Sequence, residues 1–554
     1  MTTPETESNY VPVVASLEDV TPIPGADRIV SASARGYRLV VGANRKAGEL
    51  GVVFPAEGVL DLQFALAAGL LMKHPLTGAK LDGYLADPPR IRNLTLRGVR
   101  TEALWLPLAD FCAAVERAVR SPTRPGNEGF AVLANLPAPV LPDYKDGDEI
   151  GPIELMPGAL AHVDPPDYFV VARKYMPPVT ADWRKPDDRA PRPSGPLTHA
   201  QQAAAKVRAA QQAAERLARQ ALPEHYNTPP AHRAAYHLPP GAVVWATDKL
   251  HGTSGRDGIV SVPSTLSPWK RAINRIAAIV KRQPFDAHVR VNGTRRVTRI
   301  VRPLRPDQTP DMRRDISDWL APRLRVGECV YYEIVGFDHG GKPIQKQRVS
   351  ASKGGETATL RAAWGDEIVY AYGCAPDGVP IKPGHPYPHA ANLAQKPQQR
   401  VFIYRITQDG LELPFENMRK RVAEIGAESP PLLGSWQHAP SMTKAIGDDA
   451  HDVYANGKSE DEAAFVRDAT RETMRRARDL AEGIARPPAG VPSSLDPTHP
   501  LEGVVLRADH GTHLGTTHVV CKLKSHAFGV LEGYAKDRGE VDPEEVDGTS
   551  PDAE

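Results

Sequence analysis

Short apolar runs separated by glycine and proline dominate the first third of the chain. YRLVV at 37–41 and GVVFP at 51–55 predict strands, IV at 29–30 predicts a further one, and TEALWL at 101–106 alternates only loosely. Strands of this length and spacing are typical of a small barrel or sandwich. We therefore predict a β-rich block within the first 175 residues.

Three stretches have helical patterns instead. Residues 200–222 contain no glycine or proline and carry a weak stripe of mostly alanine, which predicts a solvated spacer helix. Ser267-Pro268 marks the start of a second helix. Ser459 and Glu462 form a capping box that opens a third, charged helix running to about residue 484.

Strand and helix patterns mix from about residue 224 onward. Strands are expected at 241–247, 330–335, 401–406 and 503–506. They do not alternate regularly with helices, as a doubly wound parallel sheet would require. We predict an α+β fold.

Composition narrows the class of protein. The 554 residues include 54 prolines, roughly twice ordinary usage, and six of them lie in 176–197, which predicts an extended linker. The four cysteines form no CxxC pair, so neither a zinc site nor a disulfide framework is indicated. The first residues lack a signal-peptide pattern, and no apolar run reaches the roughly 20 residues of a membrane helix, so we expect a cytoplasmic protein without membrane contact.

The formal net charge of +1 hides two blocks of opposite sign. Residues 270–305 hold eleven Lys or Arg and one acid, whereas residues 532–554 hold nine acids and two basic residues. The acidic block is interpreted as a solvated tail. The basic block favours contact with nucleic acid or polyphosphate, because arginine dominates it and it extends from a helical pattern into strand-like sequence.

Candidate chemistry begins with KLHG at 249–252, directly after a predicted strand. A lysine at a strand end, with glycine three residues later, can project into a cleft where the backbone approaches a ligand closely. Partial burial and nearby cations favour its neutral amine, which is a nucleophile. Alone this pattern is weak, because most strand-end lysines are ordinary surface residues.

Four further segments strengthen the interpretation of Lys249 as a nucleophile: YEIVG at 332–336, VFIYR at 401–405, EGVVLR at 502–507 and KLK at 522–524. Two place carboxylates in apolar strands, where an unpaired charge would be costly. KLK puts two lysines on one face of a strand, and VFIYR supplies aromatics that could stack on a base. Together they suit the binding of a nucleoside triphosphate with a metal and attack on its α-phosphorus.

In this order the five segments resemble motifs I, III, IIIa, IV and V of the covalent nucleotidyltransferase superfamily, which contains polynucleotide ligases and messenger-RNA capping enzymes. The resemblance covers about residues 224–530, and histidine in the third position of KLHG is similar to RNA ligases. It implies an ATP-grasp-like ligase domain of antiparallel sheets flanked by helices. The lone KLHG would be weak evidence, whereas the ordered set is specific.

Sequence features outside the motifs point to one clade. Only 30 residues follow Lys524, too few for the OB barrel that DNA ligases and capping enzymes carry after the last motif. VTPIPGADRI, LRGVRTEALWLPL, ARKY and LPEHYNTP instead resemble the Deinococcus type of RNA ligase, which has an N-terminal OB module. The domains expected are therefore an OB-like β-barrel at 1–175, a linker and helix at 176–223, the transferase at 224–530 and an acidic tail at 531–554.

The resemblance implies an ATP-dependent RNA ligase with Mg²⁺ (or Mn²⁺). Lysyl-AMP and adenylylated nucleic acid would be its intermediates, and it would join 3′-OH and 5′-phosphate ends at nicks with RNA on the 3′-OH side. A nicked RNA-containing duplex is the expected partner, and no protein partner is inferred. The alternatives are a DNA ligase, a capping-type enzyme, or a non-catalytic nucleic-acid-binding protein.

Catalytic roles transfer to four residues. Lys249 would be the nucleophile, and Glu502 would orient a metal ion through water. Lys522 and Lys524 would contact the α-phosphate.

Nucleotide contacts are implied at eight further positions. Glu333 would accept from the ribose hydroxyls, with Tyr404 and Val505 on opposite faces of adenine. The remaining contacts fall on residues near these: Asp248 at the adenine edge, Leu250, Ser254, Arg296 and Arg507. Arg295 stays an alternative to Arg296, and Arg405 stands where the family often has aspartate. The sequence assigns no role to the inserted segments 176–222, 258–305 and 410–497.

Overall fold

The computed structural model describes residues 10–119, 139, 141–154, 168–176, 228–261, 288–294, 298–301, 304, 309–350, 355–439, 460–512 and 515–540. The predicted linker, the helix at 200–222, the helix after Ser267 and most of the basic block lie outside these ranges.

The N-terminal block contains twelve short strands and two helices within the described residues. The strands are β1 (Val13–Ser16), β2 (Glu18–Pro22), β3 (Ile29–Ala34), β4 (Tyr37–Gly42), β5 (Leu50–Pro55), β6 (Gly58–Leu60), β7 (Leu94–Leu96), β8 (Val99–Thr101), β9 (Ala103–Pro107), β10 (Ile153–Glu154), β11 (Tyr168–Phe169) and β12 (Ala172–Lys174). The helices are α1 (Leu62–Ala67) and α2 (Leu108–Val119). The β-rich prediction is confirmed for the described residues, including the strands expected near 29, 37 and 51.

These strands pair as separate sheets. Three-stranded sheets run β1-β5-β9 and β2-β3-β4, and β6-β12, β7-β8 and β10-β11 form pairs. Among the described residues this pairing does not close into one barrel, because β5 joins β1 and β9 without joining β4. The OB-like barrel is therefore not confirmed.

The remaining strands form two larger antiparallel sheets and one short pair. They are β13 (Val243–Asp248), β14 (Thr253–Ser261), β15 (His288–Gly293), β16 (Thr298–Ile300), β17 (Glu328–Gly336), β18 (Lys346–Arg348), β19 (Glu367–Val369), β20 (Gln399–Gln408), β21 (Leu411–Glu412), β22 (Leu432–Gln437), β23 (Gly503–Thr512) and β24 (Gly515–Lys524). One sheet has the order β16-β15-β14-β17-β20-β21, the other β22-β13-β23-β24, and β18 pairs with β19. Strands β13, β17, β20 and β23 confirm the four predicted from sequence.

Within the described ranges, six helices cover these sheets. They are α3 (Ala231–Ala234), α4 (Met312–Leu320), α5 (Gly355–Trp364), α6 (Phe415–Ile425), α7 (Glu460–Glu482) and α8 (His526–Asp537), with 3-10 turns at Ala235–His237, Ala321–Arg323 and Ala390–Asn392. The charged helix expected after residue 459 is confirmed as α7, although the cap residue lies outside the described ranges. The α+β prediction with antiparallel sheets is confirmed for the described residues. None of the described helices is long and apolar enough to cross a membrane.

Local sequence explains the central elements. Strand β17 (ECVYYEIVG) lies inside the six-stranded sheet and is buried on both faces. Val330, Tyr332 and Ile334 pack on α4 and α6, whereas Val335 on the other face packs with Phe528 of α8. Met474, Ala477 and Ala481 recur along one face of α7 and pack on β13, β23 and β24. Helix α8 begins at Ser525, whose hydroxyl accepts from the Phe528 N–H.

Helix α8 also changes the interpretation of the last segment. The boundary predicted at residue 530 falls inside this helix, and Phe528, Val530 and Leu531 are buried against β17 and β20. The count of acids had hidden this apolar face. Residues 541–554 lie outside the described ranges.

The N-terminal block binds the rest of the chain through buried charges. Arg38 on β4 ion-pairs with Glu482 at the end of α7 at 2.7 Å, and Arg478 of α7 pairs back with Glu102 at 2.9 Å. Tyr37 stacks on His232 with ring centres 3.9 Å apart. This interface fixes the N-terminal block against α3 and the end of α7.

Candidate active site

Lys249 lies in the short connection between the two larger sheets. Strand β13 of the four-stranded sheet ends at Asp248, and β14 of the six-stranded sheet begins at Thr253. The Lys249 N–H donates to the Gly503 carbonyl at 3.0 Å, which ties the connection to the start of β23. The side chain therefore projects where both sheets meet.

Gly252 permits this connection to approach β17 closely. A Cβ at this position would lie 2.2 Å from the Ile334 carbonyl oxygen. The Gly252 N–H donates to Glu333 Oε1 at 3.0 Å, and the Ser254 hydroxyl donates to Glu333 Oε2 at 3.2 Å. Each oxygen of the Glu333 carboxylate is thus oriented by the segment that carries Lys249.

Glu502 provides the carboxylate next to the nucleophile. Its Oε1 contacts the Lys249 ammonium, and its side chain is almost fully buried. Its Oε2 lies 3.7 Å from His251 Nδ1 and has no hydrogen-bond partner among the described residues. A buried carboxylate oxygen without a partner is available to a metal-bound water.

A cleft opens between the two sheets at this point, with an empty volume of about 1150 Å³ including its mouth. Nine of the twelve residues predicted for the site line its wall: Asp248, Lys249, Leu250, Ser254, Glu333, Tyr404, Val505, Arg507 and Lys522. Segments separated by more than 250 residues in sequence therefore converge on one cleft.

A β-bulge explains how Tyr404 reaches the cleft. Strand β20 pairs with β17 through Tyr331↔Arg405 and Tyr332↔Ile403, which leaves Tyr404 as the extra residue. Tyr404 and Arg405 both line the cleft, although consecutive residues of a regular strand face opposite sides. The alternation of apolar and polar residues along the sequence does not indicate this bulge.

Asp248 reaches the cleft with one oxygen unpaired. Its Oδ2 accepts from the Ser494 hydroxyl at 2.8 Å, whereas its buried Oδ1 has no hydrogen-bond partner among the described residues. Burial raises the pKa of this carboxyl to about 6. Near neutral pH this unpaired oxygen is therefore a hydrogen-bond acceptor that a ligand with a donor could satisfy.

Arg507 in the cleft wall is held by protein groups. Its guanidinium ion-pairs with Glu412 at 3.0 Å and Asp509 at 2.8 Å, and it donates to the Leu413 carbonyl. Arg405 ion-pairs with the same Glu412 at 2.7 Å. The two arginines thus share one carboxylate.

Three predicted residues are placed differently from the nine in the wall. Glu502 lies behind Lys249, in contact with its ammonium. Lys524 is not part of the described wall, and its ammonium contacts Glu57 and Glu532. Arg296 lies outside the described residues, as does Arg295.

Other wall residues carried no prediction. They are Thr228, Thr247, Arg405, Glu412, Phe415, Met418, Ser429, Pro430 and Val520. Val520 could have been found, because it lies two residues before Lys522 on the same face of β24. Phe415 and Met418 lie three apart on α6, a spacing that also fits an ordinary core face. Ser429 and Pro430 lie in a loop and give no periodic signal.

The donor set fits a largely hydrated metal ion. Among the described residues no group of three or more His, Cys, Asp or Glu side chains is arranged to hold a metal directly. Glu502, with its unpaired buried oxygen, would hold such an ion through water, and the phosphates of a nucleotide would complete the shell.

Comparisons with known proteins give no family for this chain. No protein-family model matches it, and no curated protein matches it. Among solved structures, an RNA ligase of Naegleria gruberi in an apo form is similar at 13% identity, over 95% of this chain and 98% of that chain, with a TM-score of 0.39. A variant of that ligase with AMP and Mn is similar at 12% identity, over 94% of this chain and 97% of that chain, with a TM-score of 0.41. Another variant with ATP and Mn is similar at 12% identity, over 95% of this chain and 98% of that chain, with a TM-score of 0.39.

Proposed function

We propose that this protein is an ATP-dependent RNA ligase that joins 3′-OH and 5′-phosphate ends. It acts at nicks in duplexes that carry RNA on the 3′-OH side. The observation that carries the proposal is the convergence of Lys249, Glu333, Tyr404 and Lys522 on one cleft, with Glu502 against the Lys249 ammonium. The sequence predicts these residues as one nucleotide-binding set, and they come from strands of two different sheets.

The first step forms a bond between Lys249 and AMP. The lone pair of the Lys249 amine attacks the α-phosphorus of ATP, an N–P bond forms, and the bond to the β-phosphate oxygen breaks as pyrophosphate leaves. The Lys249 ammonium loses one proton to solvent before the attack, and the nitrogen loses a second as the N–P bond forms. Lys522 in the cleft wall would offset charge on the α-phosphate oxygens. A metal ion oriented by Glu502 would supply further charge neutralisation.

Two transfers complete the reaction. An oxygen of the 5′-phosphate attacks the lysyl-AMP phosphorus, which breaks the N–P bond and frees the amine. A 3′-hydroxyl then attacks the activated 5′-phosphorus, the phosphodiester forms, and AMP leaves. The same residues serve each step by holding the adenosine and the transferring phosphate in place.

Adenosine would lie between Tyr404 and Val505, which come from different sheets. Glu333 would accept hydrogen bonds from the ribose hydroxyls, and Asp248 Oδ1 would accept from the amino group of the base. The N-terminal block would contact the nucleic acid, together with the basic segment at 270–305. Phosphate contacts of this kind would make binding weaken steeply with salt.

Incubation with α-labelled ATP and Mg²⁺ tests the proposal. Wild type should become labelled, Lys249→Ala should not, and Lys420→Ala, which removes an exposed lysine of α6, should label as wild type does. No label on wild type, or equal label on Lys249→Ala, would leave a non-catalytic nucleic-acid-binding protein. Labelling by GTP in place of ATP would favour a capping-type enzyme.

Sealing of nicked duplexes then tests the substrate. The sugars beside the nick are changed one at a time from ribose to deoxyribose. Loss of sealing with deoxyribose on the 3′-OH side supports the RNA ligase, whereas sealing that ignores this change would favour a DNA ligase.

A further inference from the structure

Lys524 lies beside the cleft but is paired elsewhere. Lys522 lies in the cleft wall, and Lys524 shares its strand face two residues later. The Lys524 ammonium instead donates to Glu57 Oε1 at 2.8 Å and to Glu532 Oε2 at 2.5 Å. Gly503, which is paired with Lys524 across the sheet, accepts from the Lys249 N–H. The backbone of Lys524 is thus one strand away from the connection that carries Lys249.

Glu57 comes from the N-terminal block and has an unusual backbone. It lies in the turn between β5 and β6 with φ +74°, a left-handed conformation that costs free energy in a residue other than glycine. Its N–H donates to the Ile91 carbonyl at 3.1 Å, and its own carbonyl accepts from the Tyr175 N–H at 2.8 Å. Backbone bonds on both sides therefore fix the point from which its carboxylate reaches Lys524.

Four charged groups meet at this contact. Lys536 of α8 lies 3.1 Å from Glu532 Oε1 and 3.9 Å from Glu57 Oε2, so two ammonium groups face two carboxylates. Burial opposes the charge on Lys524, but Glu532 and Glu57 outweigh this and raise its pKa well above the usual value. Lys524 is therefore a charged and fully engaged cation before any nucleotide binds.

The two carboxylates are not equally fixed. Glu532 also pairs with Lys536 one turn along α8, and its side chain is 14% exposed, against 28% for Glu57. Glu57 also belongs to the other side of an interface between two parts of the chain. A phosphate that needs Lys524 would displace Glu57 more easily than Glu532.

We propose that Glu57 is a positioning residue for Lys524. The Glu57 carboxylate holds the Lys524 ammonium until a phosphate of the nucleotide replaces that carboxylate. The inference rests on the proposed ligase function, since it assigns a phosphate to Lys524. Binding of ATP then exchanges one anion for another on Lys524, and it releases one contact between the N-terminal block and β24. Glu57 thereby lowers the apparent affinity for ATP without touching the reacting atoms.

Self-adenylylation of the full chain at varied ATP concentration tests this. Glu57→Gln keeps the size of the side chain but removes the charge. The KM for ATP, taken as the concentration that gives half the maximal labelling rate, should therefore fall about fivefold, while the maximal rate stays within about twofold. Glu57→Asp, which keeps the charge, shortens the reach and tolerates the left-handed backbone, should shift KM in the same direction by less. Thermal unfolding of each variant confirms that it is folded.

Asp537→Asn is the matched control. Asp537 of α8 pairs with Arg90 and Arg92 of the N-terminal block, so this change weakens the same interface without touching Lys524. Its KM for ATP should match that of wild type. An unchanged or raised KM in Glu57→Gln, or an equal fall in Asp537→Asn, would overturn the inference while the ligase function stands. Absence of label on wild type would overturn both.

Discussion

The Lys249 ammonium contacts a carboxylate oxygen of Glu502, although 253 residues separate the two along the chain. The contact depends on the sheet, because Lys249 follows β13, and the residue after Glu502 begins the neighbouring β23. Glu502 is almost fully buried, so its charge would be costly without this cation. The pair therefore places a nucleophile and an oriented carboxylate at one point of the cleft.

Replacing Glu502 by Gln should abolish most self-adenylylation. The change removes the charge that faces Lys249 and the acceptor that would orient a metal-bound water. We expect a loss of about 100-fold or more in the rate of labelling, the usual scale for a preorganised electrostatic group. The measurement is the initial rate of label transfer from α-labelled ATP with excess Mg²⁺.

Glu416→Gln serves as the control for this change. Glu416 lies exposed in the first turn of α6, so its replacement should leave the rate unchanged. A Glu502→Gln variant that labels within a few-fold of wild type would show that the Lys249 contact is only structural.

The elements that carry the site could be predicted from sequence where apolar runs mark buried strands. Strands β13, β17, β20 and β23 were predicted in this way, and the cleft collects residues from all four. Each of these strands is buried enough for its pattern to be dominated by hydrophobic residues. The motif resemblance implies the roles of these residues, and the structure shows that most of them lie close together in one cleft.

Features that depend on tertiary contacts could not be predicted. The bulge at Tyr404 arises from the pairing of β20 with β17, so it leaves no trace in the alternation of either strand. The partner of Lys524 is Glu57, 467 residues away, which no local pattern can identify. The boundary predicted at residue 530 divides helix α8, because the acids that follow it led to the interpretation of a solvated tail, whereas Leu531 is buried.

Asp248→Asn should weaken the preference for ATP over GTP. The wild-type Oδ1 can only accept while the carboxyl is ionised, which suits the amino group of adenine and opposes the oxygen of guanine. In the variant, Ser494 would draw the amide oxygen to itself, so the amide NH2 would face the cleft and donate. We expect the ratio of kcat/KM for ATP to that for GTP to fall about tenfold or more.

The pH dependence of this preference has a defined direction. Burial raises the Asp248 pKa to about 6, so the carboxyl gains a proton, and becomes a donor, as the pH falls below about 6. Wild type should lose preference for ATP in that range, whereas Asp248→Asn should show a low and flat ratio from pH 5.5 to 8. Asp377→Asn, at an exposed site, should follow wild type. A steep pH profile that survives in Asp248→Asn would contradict the assignment.

Glu482→Ala should destabilise the protein strongly. Glu482 is buried at the end of α7 and ion-pairs with Arg38 and Arg100, both from the N-terminal block, at 2.7 Å. Its loss would leave two largely buried guanidinium groups without this partner, at a cost of about 3–5 kcal/mol. Arg475→Ala, on the exposed face of the same helix, removes pairs with Glu472 and Asp479 and should leave the thermal midpoint nearly unchanged. Equal midpoints for the two variants would show that the buried network adds little stability.

Asp257 should make stability depend on pH in a way opposite to most carboxylates. It is buried on β14, where Oδ1 accepts from the Ser317 hydroxyl and Oδ2 from the Tyr332 hydroxyl at 2.6 Å. Burial raises its pKa to about 7 from 3.8, so the folded state binds the proton more tightly than the unfolded state. This contribution to stability is complete below about pH 4 and is lost as the pH rises to about 7. Asp257→Asn mimics the neutral carboxyl at every pH. Its free energy of unfolding relative to that of wild type should therefore rise as the pH increases across this range, by at most about 4 kcal/mol. Thermal midpoints measured from pH 4 to 8 test this, with exposed Asp366→Asn following the wild-type curve; parallel curves for wild type and Asp257→Asn would refute it.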